Sequence, residues 1–139
     1  MLKTVAAFLN SREGGTLLIG VADDGGVLGL ESDYLTLRKE GKDDADLLQL
    51  ALTQAVLNSV GAAAATNVTS HVHTVGGNDV CRVQIKPSGH PVHAEVTVVD
   101  KNGQHQKKRV FYVRMNNGTR SIDDEAEAEK YIASRWGRG

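Results

Sequence analysis

The sequence predicts an α+β domain built around one hydrophobic core, and three observations carry that expectation. Apolar residues recur at helical spacing near both ends and in the middle of the chain. Between these stretches lie short strand-like segments separated by tight turns, so the sheet should be largely antiparallel, with about three helices flanking it. The length of 139 residues with 40% hydrophobic content suits one core better than two, so residues 1–139 read as a single domain.

The first helix rests on Leu2, Val5, Ala6 and Leu9, which follow the i, i+3, i+4, i+7 pattern with no capping residue before them. After Gly14-Gly15, the run from Thr16 to Ala22 is apolar on both faces, as in a strand covered on two sides. Asp23-Asp24-Gly25-Gly26 is turn chemistry leading into Val27 to Leu30, which predicts a β-hairpin. A polar stretch follows. Asp43 or Asp44 then caps a helix carrying Leu47, Leu48, Leu50, Ala51, Leu52, Ala55, Val56 and Leu57, a wide apolar face, and Gly61 stops it.

Beyond the alanine-rich turn at residues 62–65, Val68 and Val72 point one way while His71 and His73 point the other. Residues 76–79 turn the chain, and the next strand alternates Cys81, Val83 and Ile85 with Arg82, Gln84 and Lys86. Val92 to Val99 and Arg109 to Met115 read as two further strands, joined by a polar loop from Asp100 to Lys108 that contains an Asn102-Gly103 turn signal. The final helix, from about Asp123 to Trp136, is acidic at its start and basic near its end, as the helix dipole favours.

Composition excludes some classes of function. A net charge of −1 denies the chain the global basicity of a protein that coats nucleic acid, so any such role needs a local patch. The single cysteine, Cys81, makes neither an internal disulfide nor a multi-thiolate zinc site, and it falls on the apolar face of its strand. No apolar run is long enough to span a bilayer and no secretory signal opens the chain, so the expected location is cytoplasmic, with no membrane partner. The sequons at Asn67 and Asn117 then count as chance matches.

Charge is unevenly distributed. From Lys101 to Arg120 there are six basic residues and no Asp or Glu. Phosphate contacts need cations together with oriented hydrogen-bond donors, and Lys107, Lys108, Arg109, Arg114, Asn116, Asn117, Thr119 and Arg120 supply both. The plainer alternative is that Lys107 to Arg109 solvate a loop end and Arg120 pairs with the acidic start of the last helix. Asp23 and Asp24, at a strand end, are candidate carboxylates for a divalent cation, although Asp-Asp-Gly-Gly is ordinary turn chemistry. His71 and His73 have the i, i+2 spacing of a metal pair, with His90, His93 and His105 as further candidates, but no spacing fixes a third ligand. No Walker or dinucleotide glycine pattern occurs.

Three segments in this order resemble the Schlafen-type AlbA-like domain: Ala7-Phe8-Leu9-Asn10 with Gly14 to Val21 and Asp24-Gly25; Lys86-Pro87-Ser88 with Pro91-Val92; and Phe111 to Arg114 running into Asn117 to Arg120. The resemblance implies a mixed sheet with flanking helices, often joined in bacteria to helix-turn-helix or other regulatory modules. It also implies DNA binding or ATP binding for bacterial members, whereas some animal Schlafens cleave tRNA and rRNA. Those nucleases use an acidic cluster whose first two carboxylates precede the first helix, with a third near the hairpin at the position of Asp23 or Asp24. The upstream stretch is not in this sequence, so the expectation is a nucleic-acid-binding domain that does not cut and holds no cofactor, a divalent metal requiring those upstream acids. The alternatives are a fragment of a metal-dependent endoribonuclease, or a protein-interaction module. Animal Schlafens pair two such lobes in one chain, which makes a symmetric homodimer a further expectation.

Overall fold

The helix at the start of the chain organises everything around it. In the computed structural model, which describes residues 1–137, α1 (Leu2–Asn10) runs through the centre of the domain with Val5, Ala6, Ala7 and Leu9 fully buried. Val5 and Leu9 face the main core. Ala6 and Ala7, with almost no side chain, let the strands carrying Ala94, Val110 and Tyr112 approach closely.

Gly14, at φ 72°, turns the chain into β1 (Gly15–Ile19). Then follow α2 (Glu31–Leu37), α3 (Asp44–Val60), α4 (Ala62–Ala65), β2 (Val68–Val75), β3 (Asn78–Ile85), β4 (Ala94–Val99), β5 (His105–Val110), β6 (Tyr112–Met115), β7 (Gly118–Ser121) and α5 (Glu125–Trp136). The fold is α+β, and every strand pair among the described residues is antiparallel. Strands β1, β3 and β2 form one sheet in that order, while β4–β5 and β6–β7 are separate two-stranded ribbons.

Local chemistry explains the helix ends. The Asp43 side chain accepts from the Asp46 backbone N–H at 3.1 Å, which caps α3, and Gly61 at φ 87° ends it. Leu48, Leu52, Val56 and Val60 then form a stripe at i+4 spacing against Cys81, Val83 and Ile85 of β3. Asp124 caps α5 in the same way, accepting from Glu127 N–H at 3.1 Å.

The fold corrects three expectations. Val27 to Leu30 is not the hairpin partner of β1: β1 pairs with β3, and the Asp23–Gly26 turn closes only one bridge, Val21 to Val27. Gly20 and Gly29 both take positive φ there, and the Gly20 carbonyl accepts from both Leu28 and Gly29, which closes a loop where a ladder would continue. Strand β1 is also open on one side, Leu18 being 53% exposed. The stretch from Arg109 to Met115 is not one strand, because pairing passes from β4 to β7 across buried Phe111, whose ring meets Tyr131 edge-on at 5.7 Å. The expected helices are α1, α3 and α5, and the shorter α2 and α4 add to them.

One buried side chain joins these parts. Asn10 Nδ2 donates to the Val92 carbonyl at 2.9 Å and the Tyr112 carbonyl at 2.8 Å, while Asn10 Oδ1 accepts from Val92 N–H at 2.9 Å. Its own backbone carbonyl accepts from Tyr131 Oη and Arg135 Nε, which docks α5 onto the end of α1. Trp136 Nε1 adds a bond to the Ser88 carbonyl at 2.9 Å. The apolar stripe of the last helix therefore packs on its own domain.

Candidate nucleic-acid interface

The β4–β5 ribbon is anchored at its base and along β4, where Ser59 of α3 donates to the Glu95 carbonyl and Val96 packs inward, while β5 is free beyond Val110. Ala94 and Val110 are buried against α1, whereas His105, Gln106, Lys107, Lys108 and Arg109 are all exposed. The second part of what the sequence reads as a loop, from His105 to Lys108, is thus strand, paired from Ala94–Val110 out to Val99–His105, and only residues 100–104 remain a loop. Its tip is built by Asp100, whose Oδ1 accepts from the N–H groups of Asn102 and Gln104 at 2.9 and 2.8 Å, and by Gly103 at φ 77°.

Alternation along β5 sends the basic trio to two faces. Lys107 and Arg109 share a face with Thr97 and Glu95, while Lys108 stands on the other beside Val96. Lys107 Nζ lies 3.6 Å from Glu95, a pair too exposed to hold either charge firmly. Among the described residues, Lys108 and Arg109 have no carboxylate partner within 4.0 Å. The charge of Arg109 does reach His93: burial first, and then Arg109, push the His93 imidazole below its usual range.

The β6–β7 hairpin divides the remaining candidates. Arg114 Nη1 donates to Thr119 Oγ1 at 3.0 Å, Nη2 donates to the Asn117 carbonyl at 2.9 Å, and the guanidinium lies 4.8 Å from the centre of the Phe8 ring. Thr119 also meets Thr4 of α1 at 3.1 Å. Both side chains are therefore engaged in fixing the hairpin to α1. Arg120 pairs across from Val113, so it projects from the opposite side of the hairpin, exposed and, among the described residues, without an ion pair to the acidic start of α5. Asn116, at φ 55°, and Asn117 form the exposed turn.

A groove of about 580 Å³ runs between this turn and the end of α1, lined by Phe8, Arg12, Arg114, Asn116, Asn117 and Tyr131 among others. Arg12, which sequence reasoning passed over, donates to the Ser134 carbonyl of α5 at 2.9 Å. Its position directly after Asn10-Ser11, inside a recognisable segment, was the available signal.

Asp23, Asp24, His71 and His73 lie on elements other than the ribbon and the hairpin. Asp23 and Asp24 are exposed in their turn, where Asp24 Oδ1 accepts from Gly26 N–H at 2.8 Å. His71 and His73 are exposed on β2, their ring centres 6.5 Å apart. His93 packs its ring 5.3 Å from Phe111, His90 lies beside Pro91, and His105 is on the ribbon. Among the described residues no three His, Cys, Asp or Glu side chains converge as a metal site would require, so this donor set does not fit a divalent metal. Cys81 is fully buried, and burial pushes its thiol up, away from the reactive thiolate. Tyr34 Oη donates to Asp79 at 2.7 Å and Thr74 Oγ1 does the same, which holds the Asp79 carboxyl below its usual range.

Comparison with known proteins shows both a family and a similar fold. The family model for "Schlafen, AlbA_2" matches residues 1–123. The crystal structure of the DIP2311 protein from Corynebacterium diphtheriae is similar in fold, with a TM-score of 0.57 and 20% sequence identity over 96% of this chain and 22% of that one. The chain thus spans about a fifth of that protein's length. No curated protein is similar enough in sequence to count as a relative. Among the described residues, no helix is long and apolar enough to cross a membrane.

Proposed function

Since the chain belongs to the Schlafen, AlbA_2 family, we propose that it is a nucleic-acid-binding domain that grips phosphates through its β4–β5 ribbon and does not cut the strand. The observation that carries this reading is the ribbon itself. Its outer part buries no side chain on the β5 side, yet carries Lys107, Lys108 and Arg109 on both faces. A two-stranded ribbon fits the major groove of a duplex, and cations on both faces reach the phosphates on either side. Asn116, Asn117 and Arg120, exposed on the neighbouring hairpin, serve as secondary contacts. The two turn aspartates support a role without cutting, since among the described residues they lack the partners that would neutralise a phosphodiester transition state.

The test is an anisotropy titration against a short DNA duplex between about 50 and 200 mM salt. The wild-type affinity falls steeply with salt, and the triple variant Lys107→Ala, Lys108→Ala, Arg109→Ala flattens the log–log slope by about 2 to 3, roughly 0.9 for each phosphate no longer neutralised. All three side chains are exposed, so folding is preserved. A protein that binds no duplex, or a variant with an unchanged slope, overturns the reading.

A further inference from the structure

The three-stranded sheet has a second face that the ribbon does not use. Its inner face carries Leu17, Ile19, Cys81, Val83, Ile85 and Val72 into the core. On the outer face the register sets Leu18, Arg82 and His71 side by side in one row across the three strands. The next row is uncharged: Thr16, Gln84 and Thr69. All six of these side chains are exposed. His73 follows His71 on the same face, two residues along β2, and Asp79 lies on the opposite, inward side, bonded to Tyr34 and Thr74. Among the described residues, the three strands present no carboxylate on this outer face.

Arg82 is the distinctive residue. It occupies the central strand, where a side chain stands upright between neighbours on both sides, yet it forms no hydrogen bond or ion pair among the described residues. A cation held by the backbone of a central strand, with no acid on its face, is complementary to an anion and repels a basic partner. Beside it, the His71 and His73 rings are 6.5 Å apart and 29° from parallel. The two rings thus present neighbouring flat faces on the open side of the sheet, on which bases can stack.

From this arrangement, and resting on the reading of the domain as a nucleic-acid binder, we infer that the outer face of the β1–β3–β2 sheet is a separate site for single-stranded nucleic acid. Bases stack on the His71 and His73 rings and the adjoining phosphate meets Arg82. A duplex keeps its base faces stacked inside and cannot use such a platform, whereas a single strand splays them outward onto planar side chains. Leu18, across the row from His71, offers an apolar surface for a neighbouring sugar or base.

The experiment compares two fluorescent ligands by anisotropy, a twelve-nucleotide oligouridylate and a DNA duplex of the same length. The variant His71→Ala, His73→Ala weakens oligouridylate binding about tenfold, as removal of one stacked base requires, and leaves the duplex unaffected. His71→Phe, His73→Phe keeps two aromatic planes without the imidazole nitrogens and restores single-strand affinity. Arg82→Ala lowers the single-strand salt slope by about 0.7. Wild-type affinity for the oligonucleotide in the alanine variant overturns the inference, as does equal weakening of both ligands. The two proposals separate cleanly: silent ribbon variants with responsive histidine variants reject the ribbon alone, and the converse rejects the platform alone.

Discussion

Replacing Asn10 tests whether one buried amide holds the domain's parts in register. In Asn10→Ala, three hydrogen bonds disappear, and the Val92 N–H with the Val92 and Tyr112 carbonyls is left in a site where Asn10 is 0% exposed. A bond of this kind contributes about 1 kcal/mol net, but an orphaned buried partner costs about 1 to 3 kcal/mol, so the expected loss is about 3 to 5 kcal/mol. Unfolding entropy scales at about 2.1 cal/mol/K per residue, which converts that loss into a fall in Tm of roughly 10 to 17 °C for a domain of this length. Calorimetry or thermal circular dichroism reads it directly. The variant Asn10→Asp sharpens the test, because its carboxylate would face the two carbonyls that the amide now donates to. Burial and those carbonyls would raise its folded pKa above the ordinary value of about 3.9. A raised folded pKa means that the penalty is small at low pH and grows as pH rises through the folded value. Asn10→Asp therefore melts closer to wild type at about pH 4 than at about pH 7. An alanine variant within about 3 °C of wild type, or an aspartate variant indifferent to pH, would refute the reasoning.

Three further outcomes rest on the same contacts. Arg114→Ala lowers stability by about 1 to 2 kcal/mol by removing its bonds to Thr119 and Asn117 and its packing on Phe8, whereas Arg120→Ala leaves the melting curve in place. His93, held neutral by burial and by Arg109, makes the unfolded state bind more protons once pH falls to about 6.5 and below, so stability declines on acidification through that window until the folded imidazole also protonates; the decline measured between about pH 7.5 and 5.5 shrinks in His93→Gln. Transfer RNA incubated with the protein and Mg²⁺ or Mn²⁺ stays intact on a denaturing gel, and cleavage that vanishes in Asp24→Ala would show that the turn acids act as a nuclease site.

The elements legible in the sequence were those with a buried face and a local boundary. Helix α3 announced itself through the Asp43 cap, the Leu48–Val56 stripe and Gly61, and β3 through the alternation of Cys81, Val83 and Ile85 with Arg82 and Gln84. Two failures have definite causes. The partner of β1 is set by contacts with β3, far along the chain, whereas Asp23 to Gly26 signal a turn regardless of what that turn joins. Strand β5 buries neither face beyond Val110, so it has no period of two to detect. Helix α2 buries only Tyr34 and gives no stripe either. Charges were visible in the sequence, but their directions were not. Arg114 and Lys108 look alike as letters in a basic run, yet one clamps a hairpin to α1 and the other stands in solvent.

That difference determines which substitutions can report on binding. Arg114 is unsuitable as a probe, since its removal perturbs the hairpin and α1 together and any loss of affinity would mix the two effects. Lys108, Arg109, His71, His73 and Arg82 carry no such burden: each projects from a strand whose pairing is made by backbone, and each is exposed. The ribbon and the platform also belong to different sheets, joined through the buried helix and the Asn10 junction. Sites without shared partners behave additively in free energy. Combining the ribbon triple variant with His71→Ala, His73→Ala therefore multiplies the two losses of affinity for a single strand long enough to reach both surfaces. A smaller combined loss would mean that one strand segment occupies them in alternation, and that the two surfaces compete for the ligand.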